Sequence, residues 1–391
     1  MKILYITNKP IYPIVDGGCF AMDSFLRSLL TFSEIKTICI STHKHPFHIE
    51  NYPNDIVKST DPKGVFVNTK TNPISFVKSV FKNESYNASR FYSEIFFIQL
   101  HSEINSNEFD FIILESAYLL VYIDELRTPF KGKIILRAPN VEYKIWEDYY
   151  EFSTSIFKKT IYRYLAKKLK QFEIEAISKV DLVCAITEND KLQLMEDGIR
   201  CPISVIPFGV KQDFESNIPI ENDKLFFLGA FNWKPNYDAA LFIVKEIIPE
   251  LILSYPDIEV HLAGSFMPEE FYAFASKNIH IHGKVASSDQ FISKHGILIA
   301  PIFSGSGVRI KIVEALALGI PVIASTIAMQ GIPTNSVLLA DNKTEFIAQI
   351  KKLVNNKKER INLQQKAKEV IHQEFSFEAI SAKLRTTLYG I

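Results

Sequence analysis

Short apolar runs alternate with longer segments in which apolar residues recur every three or four positions, and the alternation continues along most of the chain. An apolar run of four to eight residues fits a strand buried on both faces. A three-to-four spacing fits the buried stripe of a helix. In the first half the pattern predicts strands at 2–7, 36–41, 110–115, 132–136 and 180–186, with helices at 18–31, 88–106 and 155–178. In the second half it predicts strands at 224–229, 258–263, 279–281, 296–300, 320–324 and 337–339. The helices there fall at 236–253, 307–318, 343–354 and 357–372, followed by a last one at 376–389. Strands that alternate with helices form parallel sheets covered on both faces. The predicted fold class is therefore α/β, with two doubly wound, Rossmann-like domains facing across a cleft. The polar, proline-containing stretch 211–222 separates them, giving an N-terminal domain 1–208 and a C-terminal domain 222–372. Ligands of such folds bind at the carboxyl ends of the strands.

Composition narrows the class. The chain has 391 residues, 47% hydrophobic and 23% charged, enough for two cores of ordinary size. Lys+Arg and Asp+Glu both number 44, and this balance argues against bulk nucleic-acid binding, which wants a basic excess. Cys19, Cys39, Cys184 and Cys201 form no CxxC pair, so they read as reduced, buried thiols rather than a disulfide framework or a zinc site. The first apolar run is too short for a signal peptide, and no run reaches the roughly 18 apolar residues of a membrane span. The expectation is a cytoplasmic protein.

One stretch carries most of the chemistry. Gly305-Ser306-Gly307-Val308 leads into the helical pattern Arg309-Ile310-Lys311-Ile312-Val313-Glu314, and Gly319-Ile320-Pro321 leads out into a strand. A glycine-rich loop at a helix start offers backbone N–H groups to an anion. Arg309 and Lys311 add positive charge, and Glu314 is a lone acid among apolar residues. A buried carboxylate needs partners. Lys311, three residues earlier, is one; the hydroxyls of a ligand are the other. Cations with one acid at a helix start suit a ligand that has a phosphate end and a hydroxylated end, and a nucleotide sugar is such a ligand. A second segment, 157–172, sets six basic residues around a stripe of Phe157, Ile161, Tyr164, Leu165, Leu169 and Phe172. It reads as a surface helix on its own core, or as a helix able to lie on an anionic membrane.

Nearly the whole chain resembles the retaining glycosyltransferases of family four, the glycosyl transferases group 1 of GT-B architecture. The resemblance rests on an ordered set of motifs: Leu228-Gly229, Trp233-Lys234-Pro235-Asn236-Tyr237-Asp238, Leu262-Ala263-Gly264, His282-Gly283-Lys284-Val285 and Ala300-Pro301-Ile302, then the loop with Arg309, Lys311 and Glu314. In the first half, Asp16-Gly17-Gly18, Arg137-Ala138-Pro139-Asn140-Val141-Glu142, Ala185-Ile186-Thr187-Glu188 and Ile206-Pro207-Phe208-Gly209 are similar to the family's landmarks.

The resemblance implies specific roles. Glu314 would hold the donor's ribose. Gly305, Ser306, Gly307 and Val308 would offer N–H groups to the diphosphate, with Arg309, Lys311 and Lys234 neutralising it. Asn236 would join the donor site. His282, Gly283, Lys284 and Val285 would flank the base. Gly17 and Gly18 would let backbone approach the transferred sugar closely, and Asn140 and Glu142 would lie on the acceptor side. The helix 376–391 would pack back onto the first domain. The implied partners are a nucleotide-sugar donor and a glycan or lipid-linked acceptor, with no cofactor and no metal in the reaction. The basic helix adds a peripheral contact with the inner face of the membrane as a further expectation.

Two positions depart from the family pattern: Ser306 stands where a second glutamate is common, and Pro139 where a histidine is usual. Rival readings are a nucleotide-sugar epimerase on the same architecture and a non-catalytic nucleotide-sugar binder. An NAD enzyme is disfavoured, because no GxGxxG follows the first strand.

Overall fold

The computed structural model describes residues 1–211, 224–305 and 307–391, which divide into two compact units. Unit 1 comprises Met1–Gly209 together with Ile380–Ile391, and unit 2 comprises Val210–Ala379. Each is a parallel α/β layer structure.

Among the described residues of unit 1, seven strands form one sheet: β1 (Lys2–Thr7), β2 (Glu34–Ser41), β3 (Lys63–Phe66), β4 (Phe111–Glu115), β5 (Lys133–Ala138), β6 (Leu182–Ala185) and β7 (Ile203–Val205). Their order is β3-β2-β1-β4-β5-β6-β7, so the strand order reverses between β1 and β4. The central strands are apolar without alternation because helices cover both faces; Phe111–Glu115 is buried at every position. The last helix, Phe377–Tyr389, contributes Ile380, Leu384 and Leu388 to the core that contains Tyr5, Phe25, Leu29 and Ile113. Ser381 Oγ donates to the Ser28 carbonyl at 3.2 Å.

Unit 1 departs from the sequence pattern at its edge strands and in its helices, for Asn54–Thr60, Pro73–Phe81, Ile123–Arg127, Glu142–Phe152 and Glu188–Glu196 were not anticipated. Strands β3 and β7 were not anticipated, for β3 alternates half-buried with exposed residues and both are very short. The expected helix 88–106 is two, Tyr86–Ser89 and Glu94–Ser106. Ser93 separates them: its side chain caps the second helix at the Phe96 N–H, and its own N–H donates to Tyr122 Oη at 2.8 Å. The basic helix spans Ile156–Ile177 and buries Leu165, Leu169, Ala176 and Ile177, while Ile156 and Phe157 stay exposed.

In unit 2 the described strands are β8 (Lys224–Leu228), β9 (Glu259–Ala263), β10 (Ile279–Gly283), β11 (Ile297–Ala300), β12 (Val322–Ala324) and β13 (Leu338–Leu339), ordered β10-β9-β8-β11-β12-β13. The helix expected at 236–253 runs from Lys234, passes through a π-turn at Ile243–Ile247 and ends at Leu251. Pro249 lacks an N–H, so the ladder widens just before it. No helix among the described residues is long and apolar enough to cross a membrane.

Candidate functional site

The centre of the candidate site lies where β11 ends in unit 2. Pro301 stops the strand, and the chain enters the glycine loop with Gly305 and Gly307 at φ +86° and +87°. A side chain at Gly305 would also collide with Trp233, 2.7 Å from the Cβ position. Only glycine satisfies both demands. The helix therefore starts later than the sequence pattern suggests, at Ile310–Ala317, with Arg309 as its extended N-cap residue. It closes at Gly319, whose N–H donates to the Leu316 carbonyl and whose φ is +69°. Among the described residues, the N–H groups of Gly307, Val308, Ile310 and Lys311 donate to no other residue, as expected of a helix start aimed at an anion. Ser306 lies outside the described residues.

Lys311 is the best-defined member. Its Nζ donates to Asn236 Oδ1 at 2.6 Å and sits 4.2 Å from the centre of the Phe227 ring. Asn236 is buried and anchored by its own amide to the Ala230 carbonyl at 3.0 Å. Burial, together with the nearby Arg309 cation, holds the Lys311 amine well below the ordinary lysine range. Glycine makes room for this pair: a Cβ on Gly229 would lie 2.7 Å from both the Asn236 amide and Lys311 Nζ. Gly264, at φ +151°, lets the neighbouring turn cross the Gly229 carbonyl, which would stand only 1.6 Å from a Cβ.

Glu314 lies one turn along the same helix. Burial pushes its carboxyl up to about 7, Asp289 pushes the same way, and the Ser288 hydroxyl and Lys311 act against both. Ser288 Oγ donates to Glu314 Oε1 at a long 3.4 Å. Lys311 and Glu314 form no ion pair; the lysine's partner is Asn236. The internal pairing that the sequence allowed for Glu314 is therefore not the one the protein makes.

Arg309 is placed differently from the expectation. Its guanidinium is buried and turned onto its own loop, donating to the carbonyls of Gly307 (2.8 Å), Gly305 (2.9 Å) and Ser304 (3.3 Å), and it packs over Trp233 at 4.9 Å. Burial lowers its pKa to about 10, so it remains charged at neutral pH. It works as a clasp that shapes the loop. Because it precedes the helix, it is free of the helical geometry that would point it away from Lys311. Lys234 is exposed and ion-paired to Asp238 at 2.7 Å. Lys284 is exposed, Val285 half-buried, and Gly283, at φ +63°, accepts from the Gly264 N–H at 2.7 Å. His282 faces His261, with 3.0 Å between Nε2 and Nδ1.

In unit 1, Gly17 and Gly18 are the exposed first residues of helix Gly17–Leu30. Asp16 caps that helix by accepting from the Cys19 N–H at 2.8 Å and pairs with Lys9 at 2.7 Å. Asn140 is half-buried after β5. Glu142, expected to face an acceptor, is instead 7% exposed, with Ser116 Oγ at 3.5 Å. Helix Glu142–Phe152 starts under Glu173, whose carboxylate accepts the N–H groups of Glu142 (3.1 Å) and Tyr143 (2.7 Å). Desolvation raises Glu142 to about 7 and Glu173 to about 8. Sequence reasoning did not find Ser288, Phe227 or Trp233 as neighbours of the site, since each reaches it only through the sheet or the loop.

Residues 222–356 match the family model described as Glycosyl transferases group 1. The fold is similar along its entire length to that of HepE from Anabaena in complex with UDP-glucose, at 12% identity, a TM-score of 0.68 and 100% of both chains covered. It is likewise similar to sucrose-phosphate synthase from Thermosynechococcus elongatus, at 13% identity and a TM-score of 0.67, covering 100% of this chain and 99% of that one. A Klebsiella pneumoniae relative described as an uncharacterized 44.6 kDa protein in the cps region is 26% identical over 293 residues, 70% of this chain and 71% of the relative. The fold is GT-B. Its second unit carries a glycosyl transferases group 1 domain, and together these support a glycosyltransferase of GT-B type.

Proposed function

We propose that unit 2 binds a nucleotide-sugar donor and that the chain transfers the sugar, with retention of anomeric configuration, to a glycan or lipid-linked acceptor. The observation that carries this reading is a pair of under-partnered charges on one helix turn: Lys311 Nζ is held by the neutral Asn236 amide and Glu314 meets only the Ser288 hydroxyl at 3.4 Å, so that burial holds the amine low and the carboxyl high. Both shifts come from burial of a charge without full compensation. A diphosphate favours the ammonium form of Lys311, and ribose hydroxyls favour the carboxylate form of Glu314. One ligand therefore reverses both penalties. As the anomeric C–O bond breaks, negative charge grows on the leaving phosphate, and Lys311 with the N–H groups of Gly307, Val308 and Ile310 stabilises it. Arg309 acts through the loop it clasps. No metal is assigned to the transfer step, because fixed cations and N–H donors suffice for that charge. Retention follows a front-face displacement with no enzyme nucleophile.

The acceptor reading draws on the cps-region relative, which points to surface polysaccharide or glycolipid synthesis. Peripheral membrane contact by unit 1 draws on exposed Ile74, Val77 and Phe81 of helix Pro73–Phe81 and on exposed Ile156 and Phe157 beside Lys158. Phe76 of the first helix and Tyr164 of the second pack edge to face at 6.2 Å.

The deciding experiment pairs nucleotide binding with a fold check. Glu314→Ala should weaken UDP or GDP binding by 10- to 150-fold, the equivalent of about 1.5–3 kcal/mol for a charged hydrogen bond, with an unchanged melting profile. Unaltered affinity in the folded variant refutes the ribose role. A thermal-shift panel of UDP-, GDP-, ADP- and TDP-sugars identifies the donor, since mass action turns affinity into a melting shift.

A further inference from the structure

We propose that unit 2 holds a zinc-binding site of three histidines, His261, His282 and His295, separate from the phosphate-binding loop. His261 is on β9, His282 is on β10, and His295 lies in the turn just before β11, so no sequence spacing announces the group. One ring nitrogen from each lies within 4.8 Å of the other two.

The outer ring atoms support ligation. A carboxylate can only accept, so the contact of His261 Nε2 with Glu259 Oε2, at 3.1 Å, puts the proton on Nε2 and turns Nδ1 inward. That Nδ1 is 3.0 Å from His282 Nε2. A carbonyl also only accepts, so His295 Nδ1, 2.6 Å from the Phe291 carbonyl, carries the proton and ligation falls to Nε2. A ring whose second nitrogen donates to a carboxylate or a carbonyl is the arrangement that orients metal-binding histidines. Zinc–nitrogen bonds of about 2.0–2.1 Å in a tetrahedron place nitrogens about 3.3 Å apart. The His261–His282 pair needs to open by only a few tenths of an ångström. The site borders a pocket of about 400 Å³ lined also by Val285, Ser287 and Phe291, which leaves space for a water as fourth ligand. Three imidazoles and no thiolate suit zinc, cobalt or nickel rather than magnesium or calcium.

A second set, Glu259, His261 and His280, shares His261. There Glu259 would be a ligand; in the proposed set it orients the His261 ring. Because His282 runs directly into Gly283-Lys284-Val285, an occupied site would tie the end of β10 to β9 and to the turn before β11.

The test uses the untagged full chain stripped with EDTA and then dialysed. Isothermal titration with Zn²⁺ should show one site, Mg²⁺ should show none, and a one-equivalent Co²⁺ complex should give the intense visible absorption of a tetrahedral ion. His282→Ala, exposed and therefore tolerated by the fold, should weaken Zn²⁺ binding at least tenfold, as should His295→Ala, while His280→Ala leaves it unchanged. If the wild-type chain binds no Zn²⁺, the proposal is wrong. It is also wrong if His280→Ala abolishes binding while His282→Ala does not. The Co²⁺ spectrum of the wild-type protein decides the matter even where a variant unfolds.

Discussion

Buried charges in the two units are handled in opposite ways. In unit 1, Arg137 is fully buried against Glu115, which also accepts from Tyr5 Oη at 2.5 Å, and the guanidinium packs over Phe25 at 4.5 Å. Its partners are all internal. In unit 2, Lys311 is half-buried, its hydrogen-bond partner is a neutral amide, and the acid on the same helix faces a distant hydroxyl. The first charge meets an opposite charge inside the fold, although Arg137 Nε keeps no partner and burial still raises the Glu115 carboxyl; the second forms no ion pair, and under the proposed function a ligand would supply the missing charge. A buried ion in a protein is therefore not a site by virtue of burial alone. What distinguishes the proposed site is a desolvated charge held by a neutral amide and by no ion pair.

The largest test of that contrast is Arg137→Met. Leaving Glu115 buried without its cation should cost about 3–5 kcal/mol of stability, read as a lowered denaturation midpoint, while the nucleotide affinity of the folded fraction stays within twofold. Lys311→Met should do the reverse. Removing a buried amine that lacks a counter-ion should hold or raise the melting temperature, and affinity for the nucleoside diphosphate should fall 10- to 150-fold, about 1.5–3 kcal/mol. Affinity for the bare nucleoside should hardly move, and equal losses for both ligands would separate Lys311 from the phosphates.

A pH-dependent effect concerns the two acids of unit 1. Glu142 and Glu173 have folded pKa values raised to about 7 and 8. The folded state thus keeps protons that the unfolded chain releases above about 4.5. Stability is fully present below that value and is lost as pH rises through 7 and 8, by at most about 1.4 kcal/mol per pH unit for each group. Glu142→Gln removes one of these titrations, so its melting temperature should fall less than that of the wild-type chain between pH 5 and pH 8. Parallel pH profiles would show that Glu142 is not held protonated by the fold.

Much of the site was legible because its grammar is local. Gly305, Gly307, Lys311 and Glu314 fall within ten residues, and their meaning follows from the conformations glycine permits and from what a helix start attracts. The orientation of Arg309 was not legible, for the choice between solvent, ligand and its own loop carbonyls depends on Trp233 packing behind it. Glu142 misled for a related reason. Its position in the chain resembles a family landmark, but Glu173, thirty-one residues later, reaches the start of its helix from another element. Edge strands β3 and β7 were missed because short, half-exposed segments carry no periodicity.

By itself, the sequence determined the central strands, the division into two α/β units and the position of the glycine-rich loop, since each depends on spacing along one segment. Tertiary structure alone decided which charges are satisfied and which are not. It set Lys311 against Asn236 rather than Glu314, and it brought three histidines from β9, β10 and a following turn to one point. Burial and partnership are properties of neighbours in space, and parallel pairing makes neighbours of residues that the chain keeps about twenty positions apart.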